Sequence, residues 1–245
     1  KKKEFHKKID RINVLEKSSK RRNFLKKKYK KNIYFIEINK IKRIKKELKN
    51  VFLSFKPKDL NYNLNLYKNL FDKNTIFYSV LAGKKLSEIK NFFPINKNII
   101  RLMLNTPISV NKGTIIFYSL KKSISNNDFF LLNIIGKVYE IKKEKFFDLI
   151  TAIVGSGPAY FYYLLESMEK TAIIHGLNKS FTKQILKETY IGTAKMISNI
   201  EKNFNDLRKD VTSKGGTTEA AIKCLKTNNF QKLINNSIKD SIKKA

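Results

Sequence analysis

Asp210–Ala221 reads D-V-T-S-K-G-G-T-T-E-A-A, and the rest of the chain is organised around it. Gly215 and Gly216 carry no Cβ, so this stretch can take left-handed backbone angles and let a ligand come close to the main chain. Thr217, Thr218 and Glu219 follow with two hydroxyls and an acid, and Ala220, Ala221, Ile222 and Leu225 continue a helix. The pattern predicts a glycine corner that opens onto a helix start. Amide N–H groups there lack partners inside the helix, and the helix dipole is positive, so the corner suits an anion. The same residues also make an ordinary capped helix, and local spacing does not separate the two readings.

From Glu144 to the corner everything reads helical. Pro158 fits the first turn of a helix, and Gly176 fits its end, with His175 beside it as a cap residue. Phe161, Leu164, Leu165, Met168 and Ala172 form a stripe at helical spacing, read as core or subunit interface. Further helices are expected at about Thr182–Ile200, near Phe204–Lys209, and after Thr217. Leu149–Leu165 is the longest uncharged apolar run, but Gly155-Ser156-Gly157-Pro158 interrupts it, so it reads as core and not as a membrane span.

Upstream of Glu144 the pattern alternates. Short apolar runs at Ile12–Leu15, Ile33–Ile36, Val51–Phe55, Thr75–Val80, Asn98–Leu104 and Val138–Ile141 read as strands. Helical stretches fall between them: a charged one ending at Lys31, Lys40–Lys49, Leu60–Phe71 with Leu60, Leu64, Tyr67 and Leu70 on one face, and one near Leu86–Phe92. This alternation predicts an α/β fold with a parallel, doubly wound sheet, whose ligands bind beyond the carboxyl ends of the strands. The expected domains are therefore residues 1–143 and an all-α part, residues 144–245.

Composition narrows the function. The formal charge is +32, yet of 52 basic residues only Arg11, Arg21, Arg22, Arg43, Arg101 and Arg208 are arginine. A nucleic-acid binder favours Arg for bidentate contacts and gathers its charge on one element. Here Lys is spread along the chain with abundant Asn, Ile, Phe and Tyr, the residues that A+T-rich codons specify. Compositional drift explains the charge better than a polyanion partner does. Cys224 is the single cysteine, which excludes an internal disulfide, fits a reducing compartment, and reads as a small buried apolar residue. Two histidines, His6 and His175, argue against a histidine-based metal site.

Thr151–Tyr160 (T-A-I-V-G-S-G-P-A-Y), Gly192–Met196 (G-T-A-K-M) and Leu207–Thr218 resemble the signature of pyrroline-5-carboxylate reductases. The first half agrees in order, with F-K-P-K-D at Phe55–Asp59, A-G at Ala82-Gly83 and R-L-M-L-N-T-P at Arg101–Pro107. The resemblance implies reduction of 1-pyrroline-5-carboxylate to L-proline by NADPH or NADH in the cytoplasm. It also implies a Rossmann-type domain followed by an all-α dimerisation domain, in a homodimer that can build larger rings, with no specific nucleic-acid or membrane partner. It places Ser213, Gly215, Gly216, Thr217 and Thr218 on the substrate, the Thr218 hydroxyl at the ring nitrogen, with Glu144 and Glu201 nearby. On the cofactor side it points to Ser18, Asn39, Lys56, Pro57 and Ala82. Glu144 and Glu201 also read as surface acids paired with abundant Lys.

Three departures accompany the resemblance. No G-x-G-x-x-G turn opens the Rossmann-type part, and the sequence starts just beyond the place for it. Lys214 stands where the family usually has Pro, and Leu104 replaces a common Pro. A degenerate, non-catalytic relative kept for assembly or interaction is the alternative that the missing glycine turn and the heavy lysine content leave open.

Overall fold

Successive side chains of a strand point to opposite faces, so a strand buried on both sides must be apolar throughout. Strand β5 (Ile99–Leu104, I-I-R-L-M-L) meets that demand at every position but Arg101. It sits at the centre of the computed structural model, which describes residues 11–29, 33–36, 48–71, 73–94, 98–120 and 124–245. Asn39 and most of the Lys40–Lys49 stretch lie outside the described residues, as does the side chain of Leu70. The chain divides into two compact units, one running up to Gly155 and one spanning Ser156–Lys244.

In the first unit β1 (Ile12–Val14) and β2 (Ile33–Phe35) pair in parallel, flanking helix α1 (Ser19–Lys28) in sequence. A five-stranded sheet follows in the order β3 (Asn50–Leu53), β4 (Ile76–Ser79), β5, β6 (Gly113–Ser119) and β7 (Gly136–Glu140). Helices α2 (Leu60–Tyr67) and α3 (Leu86–Lys90) cover one face through Leu60, Leu64, Leu86 and Ile89, packed with Phe77 and Ile99. Helix α4 (Asn126–Asn133) covers the other through Leu132, packed with Tyr78, Ile100 and Leu102. Helices on both faces of a mainly parallel sheet make this a doubly wound, Rossmann-type layer.

One strand escaped the sequence pattern. β6 pairs antiparallel with β5, so the sheet is not parallel throughout. The connection explains the reversal: Asn111 takes a left-handed φ of 58°, and the Asn105 side chain accepts the Thr114 N–H at 2.8 Å. This tight turn sends the chain straight back, whereas a parallel return needs a crossover. Such a crossover, through α4, makes β6 and β7 parallel.

A buried polar pair ties α4 to the sheet. Tyr78 is fully buried, and its hydroxyl donates to Asp128 Oδ1. The other carboxylate oxygen accepts the Ser125 N–H at 3.2 Å, and Ser125 Oγ accepts the Asp128 N–H in return, a reciprocal cap at the helix start. Burial first, and the adjacent carboxylate second, push the Tyr78 phenol above its ordinary value. Tyr78→Phe keeps the shape and strips Asp128 of this donor, so stability should fall by about 2 kcal/mol. Urea unfolding checks it, and an unchanged midpoint would show the bond contributes nothing net.

After α5 (Phe147–Ile150) and a π-helical turn at Thr151–Gly155, the second unit is helical. It contains α6 (Gly157–Ile174), α7 (Lys179–Asn199), α8 (Phe204–Asp210), α9 (Thr217–Thr227) and α10 (Phe230–Lys244). Pro158 lies in the first turn of α6, His175 caps its end, and Gly176 leaves it at φ 92°. Asn178 and Asn203 cap α7 and α8 with side-chain oxygens. Phe161, Leu164 and Met168 of the α6 stripe are exposed on the single chain. Cys224 is exposed too, against the expectation of a buried residue, because α9 packs few neighbours around it.

Candidate active site

The Asp210–Thr218 loop connects α8 to α9. Gly215 sits at φ 74°, and its N–H donates to Glu219 Oε2 at 2.7 Å. Gly216 is the α9 cap residue, with its N–H bonded to the Ser213 carbonyl at 3.1 Å. A Cβ on Gly216 would come within 2.7 Å of Ser213 Oγ, so a side chain there would have to turn the Ser213 hydroxyl aside. Thr217 and Thr218 then form the first turn, where amides lack helical partners. Ser213, Gly215 and Thr217 are exposed, while Gly216 and Thr218 are half-buried.

Glu201 lies exposed in the turn between α7 and α8. The next residue, Lys202, pairs with Asp210 at 2.7 Å, which links this turn to the start of the glycine loop. Its bond to Asp210 raises the ammonium above its ordinary value.

The cofactor candidates gather at strand ends of the first unit. Lys56-Pro57 follows β3 and Ala82-Gly83 follows β4, its parallel neighbour, so both pairs share one rim of the sheet. Gly83 turns at φ 68°, and Lys56 and Ala82 are exposed. Ser18 follows β1, caps α1 and accepts the Arg21 N–H at 3.2 Å. Glu16, just before it, accepts the Ser18 N–H at 2.8 Å.

Glu144 is no loose surface acid. Its Oε1 accepts the Leu86 N–H at 2.8 Å and Arg101 Nη1 at 2.9 Å. Arg101 is 3% exposed, its guanidinium lies 4.3 Å from the centre of the Phe147 ring, and Asp148 stands 3.8 Å from Nη2. In the sequence Arg101 stands only as one of six arginines and as part of a motif. A lone cation inside an apolar strand was the available signal, since such a group demands a buried acid. Among the described residues no cluster of His, Cys, Asp and Glu could hold a metal ion.

The family model for pyrroline-5-carboxylate reductase dimerisation matches residues 144–245. Pyrroline-5-carboxylate reductase 2 of Bacillus subtilis is 35% identical over 199 residues, which span 80% of this chain and 70% of that protein. The chain belongs to the pyrroline-5-carboxylate reductase family. Among solved structures, the Coxiella burnetii pyrroline-5-carboxylate reductase superposes with a TM-score of 0.82 at 26% identity, covering 97% of this chain and 88% of that one. The Plasmodium falciparum pyrroline carboxylate reductase, solved with NADP bound, has the same fold, with a TM-score of 0.80 at 23% identity over 97% of this chain and 87% of that one. As a reductase of this family, the chain has its exposed α6 stripe inside the region matched by the dimerisation model.

Proposed function

We infer that this chain reduces 1-pyrroline-5-carboxylate to L-proline with NADPH or NADH, the last step of proline biosynthesis, as a cytoplasmic homodimer. The observation that carries the reading is the Gly215 N–H, which already holds a carboxylate oxygen, that of Glu219, at 2.7 Å. A corner that takes one carboxylate at a helix start suits a substrate that is a small carboxylated imine. Family relatives of the same name support the substrate.

The residues present fit a dinucleotide. Lys56-Pro57 and Ala82-Gly83 follow two adjacent parallel strands with an exposed ammonium and a tight glycine turn, and Ser18, after β1, adds a hydroxyl. The reduced nicotinamide, when bound, supplies the hydride to the imine carbon. What the chain supplies is orientation. Ser213, Gly215, Gly216 and Thr217 hold the carboxylate, and the Thr218 hydroxyl holds the ring nitrogen and relays to it a proton taken from solvent as the amine forms. No protein nucleophile is required. Glu201 lies in the turn that Lys202 ties to the start of the same loop. Among the described residues no helix is long and apolar enough to cross a membrane.

Thr218→Val removes the hydroxyl and keeps the shape, so turnover of pyrroline-5-carboxylate should fall at least tenfold, roughly 1.4 kcal/mol of barrier. Thr218 is half-buried on a helix surface, and the far-UV spectrum should not change. Wild-type turnover in this variant would remove Thr218 from the mechanism.

A further inference from the structure

Arg101 poses a physical problem that the reaction does not answer. It takes an interior position in an otherwise apolar central strand, beside Met103 and under the Phe147 ring, and its Nε is buried with no partner. Burying a cation costs several kcal/mol, and an apolar side chain in place of such a pair often leaves a protein equally stable or more so. Stability alone therefore does not account for Arg101. Its bonds suggest what does. Nη1 holds Glu144 Oε1, and the same oxygen holds the N–H of Leu86, the first residue of α3. That helix start is the far end of the turn that carries Ala82 and Gly83. Within the turn Glu88 accepts the Lys85 N–H at 3.0 Å and pairs with Lys84 at 2.9 Å, so Glu144 adds an anchor from outside it.

We propose that Arg101 is a positioning residue: through Glu144 it fixes the Ala82-Gly83 turn in the shape that receives the dinucleotide, and it neutralises a carboxylate that would otherwise repel an anionic ligand. This rests on the reading of the chain as an NAD(P)H-dependent reductase. Charge and geometry act together here. Lys at the same position keeps the charge and loses the fork that reaches Glu144 and Asp148 at once. Removal of Arg101 leaves Glu144, whose side chain is 21% exposed, without its cation.

The test is a set of variants: Arg101→Met, Arg101→Lys, Glu144→Gln and the double variant Arg101→Met with Glu144→Gln. Each is measured for NADPH affinity by fluorescence titration, for KM and kcat, and for thermal midpoint. Arg101→Met should weaken NADPH binding at least tenfold and raise the KM for NADPH in step, with a smaller change in kcat. Arg101→Lys should recover part of the affinity. The double variant should bind NADPH more tightly than Arg101→Met, because no unpaired carboxylate remains. A folded Arg101→Met protein that binds NADPH within twofold of wild type overturns the proposal, as does a double variant whose loss is the product of the single losses. If Arg101→Met does not fold, Arg101→Lys decides: unaltered NADPH affinity there overturns the proposal and a severalfold loss supports it. Wild-type protein that neither binds NADPH nor consumes it with pyrroline-5-carboxylate would instead overturn the functional reading itself.

Discussion

Gly215→Val should cut turnover of pyrroline-5-carboxylate about a hundredfold or more, roughly 2.7 kcal/mol of barrier. The cause is backbone strain and not crowding: a Cβ at Gly215 would meet no atom within 4 Å. The φ of 74° is the obstacle, since an L-residue in the left-handed region costs about 1–2 kcal/mol and a β-branched one more. The loop escapes that cost by changing its angles, and the Gly215 N–H then no longer points where a carboxylate sits. Small misplacements of orienting groups cost about a hundredfold in rate. Gly215→Ala, unbranched, should fall between wild type and Gly215→Val. Turnover of Gly215→Val within threefold of wild type would show that the corner does not orient the substrate.

Phe77→Ala should destabilise the first unit by about 3–5 kcal/mol, a large part of a typical domain's net stability. Phe77 is fully buried in β4, stacked on Phe93 at 4.2 Å between ring centres and edge-on to Phe71 at 5.0 Å. It joins the core that includes Leu53 of β3, Leu64 of α2 and Ile89 of α3, so no single neighbour can close the hole. Lys56-Pro57 and Ala82-Gly83 hang from the ends of the strands this core supports, and NADPH affinity should fall along with the urea midpoint. A loss below about 1 kcal/mol would mean the surrounding core collapses onto the cavity.

The helical half was legible because its signals are local. Pro158, Gly176 and the glycine corner mark helix ends with backbone chemistry that needs no distant partner. The strands up to β5 were legible from their apolar runs. β6 was not, since its direction depends on the Asn105–Thr114 bond and the left-handed Asn111, which no periodicity records. The glycine corner could be read as an anion site from residue type alone, though only the fold shows a carboxylate on Gly215. Arg101 could not be paired in advance. Glu144 lies 43 positions away in sequence, and no spacing or periodicity ties the two together before folding.

The most direct test of the account is the oxidation of NADPH and of NADH, side by side, on adding 1-pyrroline-5-carboxylate to the purified protein. At least one reduced nicotinamide should be consumed, with L-proline formed in equal amount. Wild-type protein that is folded and dimeric, yet consumes neither cofactor and makes no proline, would contradict it.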